Sequence, residues 1–133
     1  MRIPSKKKRI KNYISKLQDG NGYFEQIFDS AVQAQIEKSW DDNTTLFYIN
    51  ECINNYCHQI NRDLGSGISL FSLSYLNRDK CRELQGLLVA SLYRLYDTEK
   101  TKSAISIPSI ISLITAIGSV LVNIVLAVTS CIS

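Results

Sequence analysis

The sequence has one histidine, one tryptophan, one methionine and two prolines among its 133 residues. A single His58 leaves no partner for a histidine-based catalytic triad, and no nucleophile stands beside a base. The four cysteines, Cys52, Cys57, Cys81 and Cys131, form neither a CxxC pair nor a zinc-ligand spacing. There is no glycine-rich phosphate loop and no clustered set of metal ligands. These absences turn the reading away from enzymes, and no cofactor or metal is expected. No signal peptide opens the chain, so reduced, buried thiols in a cytosolic domain are expected. The longest absence is of charge: Ile105 to Ser133 contains no Asp, Glu, Lys or Arg.

What is present is unevenly spread. Apolar residues make up 45% of the chain, and the mean hydropathy of −0.03 averages a polar domain with an apolar tail. The net charge of +3 has its source at the N-terminus, in Arg2, Lys6, Lys7, Lys8, Arg9, Lys11 and Lys16. Such a cluster can meet nucleic acid or an anionic membrane surface. Its plainest reading is the solvated face of a first helix, and no nucleic-acid partner is expected. The chain is long enough for one domain, expected over residues 1–99 and followed by an apolar helix over 103–133.

Hydrophobic spacing is helical throughout. Ile10, Tyr13, Ile14 and Leu17 form one stripe, with Ser5 as N-cap and Asp19 to Gly22 as the stop. Phe24, Ile27, Phe28, Ala31 and Ile36 make a second stripe, ending near Trp40, where Asp41, Asp42 and Asn43 cap the next helix. Leu46, Ile49, Cys52, Ile53, Tyr56 and Ile60 share a face of the third, which Gly65, Ser66 and Gly67 break. Ile68 to Leu76 alternates like a strand but is apolar on both faces and has no partner strand, so a buried helix is expected there. Leu84, Leu87, Leu88, Leu92 and Leu95 mark a last amphipathic helix ending near Asp97. The fold class is therefore all-α.

The uncharged run from Ile105 to Ile132 is 28 residues long, and about 20 suffice to cross a bilayer. Lys100 and Lys102 precede it and nothing charged follows, which places the domain in the cytosol. The expected element is a C-terminal tail anchor, with Ile107, Leu113, Leu121 and Leu126 among its residues. Ser112, Ala116, Ser119, Asn123, Ala127 and Ser130 recur every three or four positions, a spacing that permits helix–helix approach. A homodimer through this stripe, a pore lining, or a core helix in place of an anchor all remain open.

Three features together resemble the Bcl-2 family of apoptosis regulators. Within RIKNYISKLQDGNGY from Arg9, the residues Tyr13, Ile14, Lys16, Leu17, Gly22 and Tyr23 take the places of an N-terminal homology helix, with spacings one residue short and one residue long. Within INRDLGSGISLFSLSY from Ile60, the residues Arg62, Asp63, Gly65, Gly67, Ile68 and Phe71 fit the frame of the first homology region. Its Asn, Trp and Arg are missing, and the second homology region does not occur. An apolar C-terminal segment follows the helical domain, as in many members. A second register sets the Gly-led buried helix at LQGLLVASLY from Leu84, near Gly86.

The resemblance implies a Bcl-2-like helical bundle with an apolar C-terminal helix. It also implies an inhibitor of apoptosis that holds the BH-3 helix of pro-apoptotic host proteins in an apolar groove. On it, Phe24, Ile27, Phe28 and Ala31 would form one wall and Ile49, Cys52, Ile53 and Tyr56 the other. Gly65, Gly67, Ile68 and Phe71 would lie at the base. The family's Arg pairs with a ligand Asp, a contact of about 1.5–3 kcal/mol; here Arg62 is its only substitute, so a narrow ligand range is expected. The shortened chain looks like a viral member, facing the cytosol from the mitochondrial outer membrane or the endoplasmic reticulum. The rival classes are a membrane-inserting pore former, a pro-apoptotic family member and a tail-anchored scaffold.

Overall fold

Ser5 starts the first helix, α1 (Lys6–Gln18), by accepting a hydrogen bond from the Lys8 amide at 3.2 Å. The computed structural model describes residues 3–104. The chain divides after Asp97 into two units, residues 1–97 and 98–133. The described residues form four helices: α1, α2 (Tyr23–Lys38), α3 (Asp42–Leu64) and α4 (Arg78–Ala104). The expected anchor positions Ile107, Leu113, Leu121 and Leu126 lie outside them. No helix among the described residues is long and apolar enough to cross a membrane.

Caps and breaks follow from local chemistry. Asp41 caps α3 by accepting from the Thr44 amide at 2.7 Å, and hydrogen bonding from the Thr44 side chain, together with that amide, holds its carboxyl below the usual range. Gly65 ends α3 in the left-handed region at φ +64°, where a Cβ is disfavoured. Asn77 opens α4, its Oδ1 accepting from the Asp79 and Lys80 amides. The first turn of α1 is Lys6, Lys7 and Lys8, with no acidic residue. Positive charge there opposes the helix dipole, at a cost of about 0.3–1 kcal/mol per residue.

Helix α2 has no capping side chain of its own. Instead, Gln85 of α4 reaches across and accepts from the Phe24 amide at 3.0 Å. That approach needs Gly22, which sits at φ +95° and would place a Cβ 2.5 Å from the Gln85 amide nitrogen. Gly22→Ala should therefore lower stability by about 1–3 kcal/mol. Chemical denaturation of the variant checks this, and an unchanged midpoint would contradict it.

Long-range contacts fix the helix directions in unit 1. Asp63 of α3 takes the Tyr13 hydroxyl at 2.6 Å and Arg9 at 3.4 Å, while Tyr56, earlier in α3, packs on Tyr23 and Phe24. Along α4, Arg78 meets Asp29 and Arg82 meets Glu25; Gln85 then meets Phe24, and Tyr96 meets Lys11. Both α3 and α4 thus run opposite to the α1–α2 direction. The start of α1 consequently lies at the same end of the unit as the region of Tyr96 and Asp97. Ile10, Leu17, Phe24, Ile49, Ile60, Leu84, Leu88 and Leu92 fill the interior, each fully buried. Each such side chain contributes about 1.5–3 kcal/mol.

Among the described residues Glu25 is the one carboxylate inside this core, held by Arg82 and Arg78, each at 2.7 Å. The hydrogen bond from Arg82 keeps its carboxyl below the ordinary value. A depressed folded-state value gives stability that is complete above the ordinary carboxylate range and lost as pH falls through the lowered one. Acidification below about pH 4 should lower the urea midpoint of the protein more than that of Glu25→Gln. Parallel midpoints for the two proteins across this range would contradict the assignment.

The structure corrects the expectation for Ile68–Leu76. That stretch is an extended segment, not a buried helix. The side chains of two α3 asparagines take over its backbone hydrogen bonds. Asn61 accepts from the Ile68 amide at 2.9 Å and donates to its carbonyl at 2.7 Å. Asn50 does the same for Leu73, at 2.8 and 3.0 Å. With the backbone groups of Ile68 and Leu73 paired in this way, the segment lies along α3 with Leu73 buried and Ile68, Leu70 and Leu76 half-buried against the core. Two smaller departures follow from packing: α4 continues past Asp97 to Ala104, and Ile36 and Leu87 point outward. Of the second unit, the helical stretch to Ala104 is described, with Lys102 pairing with Glu99 at 3.6 Å.

Candidate ligand-binding surface

Of the residues expected to wall a groove, Phe24, Ala31, Ile49, Ile53 and Tyr56 are buried core side chains. Phe24 and Tyr56 meet edge to face with ring centroids 6.2 Å apart, and burial pushes the Tyr56 hydroxyl pKa up. Ile27 and Phe28 are half-buried against the same core, and Cys52 is partly exposed. On α2, Phe24 and Ala31 therefore face inward, while Ile27 and Phe28 stay partly exposed. Phe24 and Ala31 could meet a ligand helix only if the core repacked.

The outer face of α3 differs. Ile53, Ile68 and Phe71 come together around a small cleft of about 70 Å³, whose polar wall is Asn50, Cys57, His58 and Asn61. The Cys57 thiol donates to the Ile68 carbonyl at 3.3 Å, and burial raises its pKa. This thiol is a packing and hydrogen-bonding group, not a thiolate nucleophile. Burial likewise lifts Cys81 to about 11. No group of three His, Cys, Asp or Glu side chains among the described residues could hold a metal ion.

Two neighbouring depressions extend the cleft. One shares His58 and Asn61 with it and ends at Arg62 and Ser66. The other shares Phe71 and Ser72 with it and ends at Tyr75 and Lys80. Together they form a shallow ledge along the extended segment. Phe71 is 48% exposed on it and Tyr75 59%. Arg62 is exposed at one end and makes no ion pair among the described residues. Gly65 and Gly67 lie beside that end, with open space where a Cβ would stand.

Sequence reasoning brought Arg62, Gly65, Gly67, Ile68 and Phe71 to this region and missed Asn50, Cys57, His58 and Asn61. Their signal was present: Asn50, Asn54, Cys57 and Asn61 are spaced by four, three and four, a polar stripe beside the apolar one. No protein-family model, curated protein or solved structure matches the chain.

Proposed function

We propose that the chain is an inhibitor of apoptosis of Bcl-2 type that sequesters the BH-3 helix of a pro-apoptotic host partner on the ledge beside α3. The observation that carries this reading is the pairing of exposed and half-buried apolar groups, Ile68, Phe71 and Tyr75, with the uncompensated Arg62 at one end. From Ile68 to Tyr75 a fully extended chain spans at most about 24 Å, comparable to a helix of about 16 residues. An amphipathic helix places apolar anchors at i, i+4 and i+7 over less than that length. An acidic residue beyond its anchors meets Arg62. The ledge is shallow, so affinity rests on a few anchors and the ligand range is narrow. The uncharged run after Lys102 supports a tail-anchored site on a host intracellular membrane, the mitochondrial outer membrane or the endoplasmic reticulum, with the domain facing the cytosol.

The experiment is expression in cells given a death stimulus, beside Arg62→Ala and Phe71→Ala. The protein should protect, and each variant should bind the ligand helix about tenfold more weakly and protect less. Unchanged affinity in Arg62→Ala removes its role as the charge partner. Cell killing, or leakage of liposomes by the purified chain, would replace the survival reading with a pore-forming one.

A further inference from the structure

We infer that the basic end of the helical unit, built by Lys7, Lys8 and Lys11, docks on anionic phospholipid headgroups and sets how the domain sits on a membrane. Lys8 and Lys11 are exposed and Lys7 is half-exposed. None of the three makes an ion pair among the described residues. Asp63 of α3, which faces α1, is already taken by Arg9 and Tyr13. The charges are therefore left for something outside the domain, although their position in α1 works against its own helix dipole.

Helix direction supplies the argument for lipid. Because α4 runs opposite to α1, Lys11 lies over the ring of Tyr96 at 5.5 Å, one residue before the unit ends at Asp97. Lys11 also shares a hollow with Tyr93, which is about half exposed, and with Tyr96. Lysines interleaved with tyrosines suit the headgroup layer, where the aromatic ring is amphipathic and the ammonium meets phosphate. The uncharged run of the sequence begins only a few residues further along the chain. The inference thus rests in part on the membrane reading above, and the experiment separates the two.

The full-length chain is compared with Leu121→Asp/Leu126→Asp, which places two charges in the apolar run, and with Lys7→Glu/Lys8→Glu/Lys11→Glu in both backgrounds. Alkaline extraction of vesicles tests insertion alone. Sedimentation of the Leu121→Asp/Leu126→Asp protein tests headgroup docking, using vesicles of phosphatidylcholine or of phosphatidylcholine with phosphatidylserine. That protein should bind only the anionic vesicles, release at high salt, and lose binding on the order of a hundredfold with the three reversals. Circular dichroism should show every variant folded, since the three lysines make no ion pair among the described residues and acidic residues in the first turn of α1 favour the helix. Equal binding to neutral and anionic vesicles overturns the docking inference whatever the extraction result. So does retention on a nucleic-acid column with no vesicle binding. Complete extraction of the wild-type chain at alkaline pH sinks the anchor reading alone.

Discussion

Phe24→Ala should destabilise the domain by about 3–5 kcal/mol, the largest effect expected of any single substitution. Phe24 is fully buried and packs against Tyr23 and Tyr56. Its removal leaves a cavity that α2 cannot close freely, because Gln85 holds its first turn and Arg78 and Arg82 hold Glu25. The substitution also distinguishes two roles for the residue. A groove wall would lose ligand affinity at nearly constant stability, whereas a core residue loses stability first. Urea denaturation decides between them, and a loss below about 1 kcal/mol would place Phe24 at the surface.

Removing both asparagines that hold the extended segment is the second large effect. Asn50 and Asn61 each exchange two hydrogen bonds with one residue of it, and Asn61 also accepts from Ser66 at 2.7 Å. At about 1 kcal/mol net per bond, the double Asn50→Ala/Asn61→Ala variant should lose about 5 kcal/mol, about 2 of it at Asn50 and about 3 at Asn61. The loss has a local signature: amide hydrogen exchange at Ile68 and Leu73 should accelerate before the core opens. Since Ile68 and Phe71 belong to the ledge, ligand binding should fail together with the segment. Protected Ile68 and Leu73 amides in the double variant would contradict this account.

These two cases show what the sequence could and could not disclose. Helix starts and stops were readable because they rest on local chemistry, as at Ser5, Asp41 and Gly65. The stripes named the core correctly through Ile10, Leu17, Ile60, Leu84, Leu88 and Leu92. A helical stripe says that a face is buried, however, and not whether a neighbour or a ligand buries it. Phe24 and Ala31 therefore read as a groove wall, whereas both are buried in the core, Phe24 against Tyr56 of α3. Ile68–Leu76 was misjudged for a related reason. Whether an apolar run coils or extends depends on where its backbone hydrogen bonds go, and here they go to Asn50 and Asn61, some 7 to 23 positions away in sequence. The α2 cap is non-local in the same way, since Gln85 serves a helix 61 positions earlier.

The central claim is that the ledge beside α3 holds an amphipathic pro-apoptotic helix. Titration of the full-length chain in detergent micelles with a panel of BH-3 peptides tests it most directly, with Arg62→Ala and Phe71→Ala as paired controls. The account predicts saturable binding to a small subset of the panel, weakened about tenfold by each substitution. No binding to any peptide, or binding unaffected by both substitutions, would contradict it.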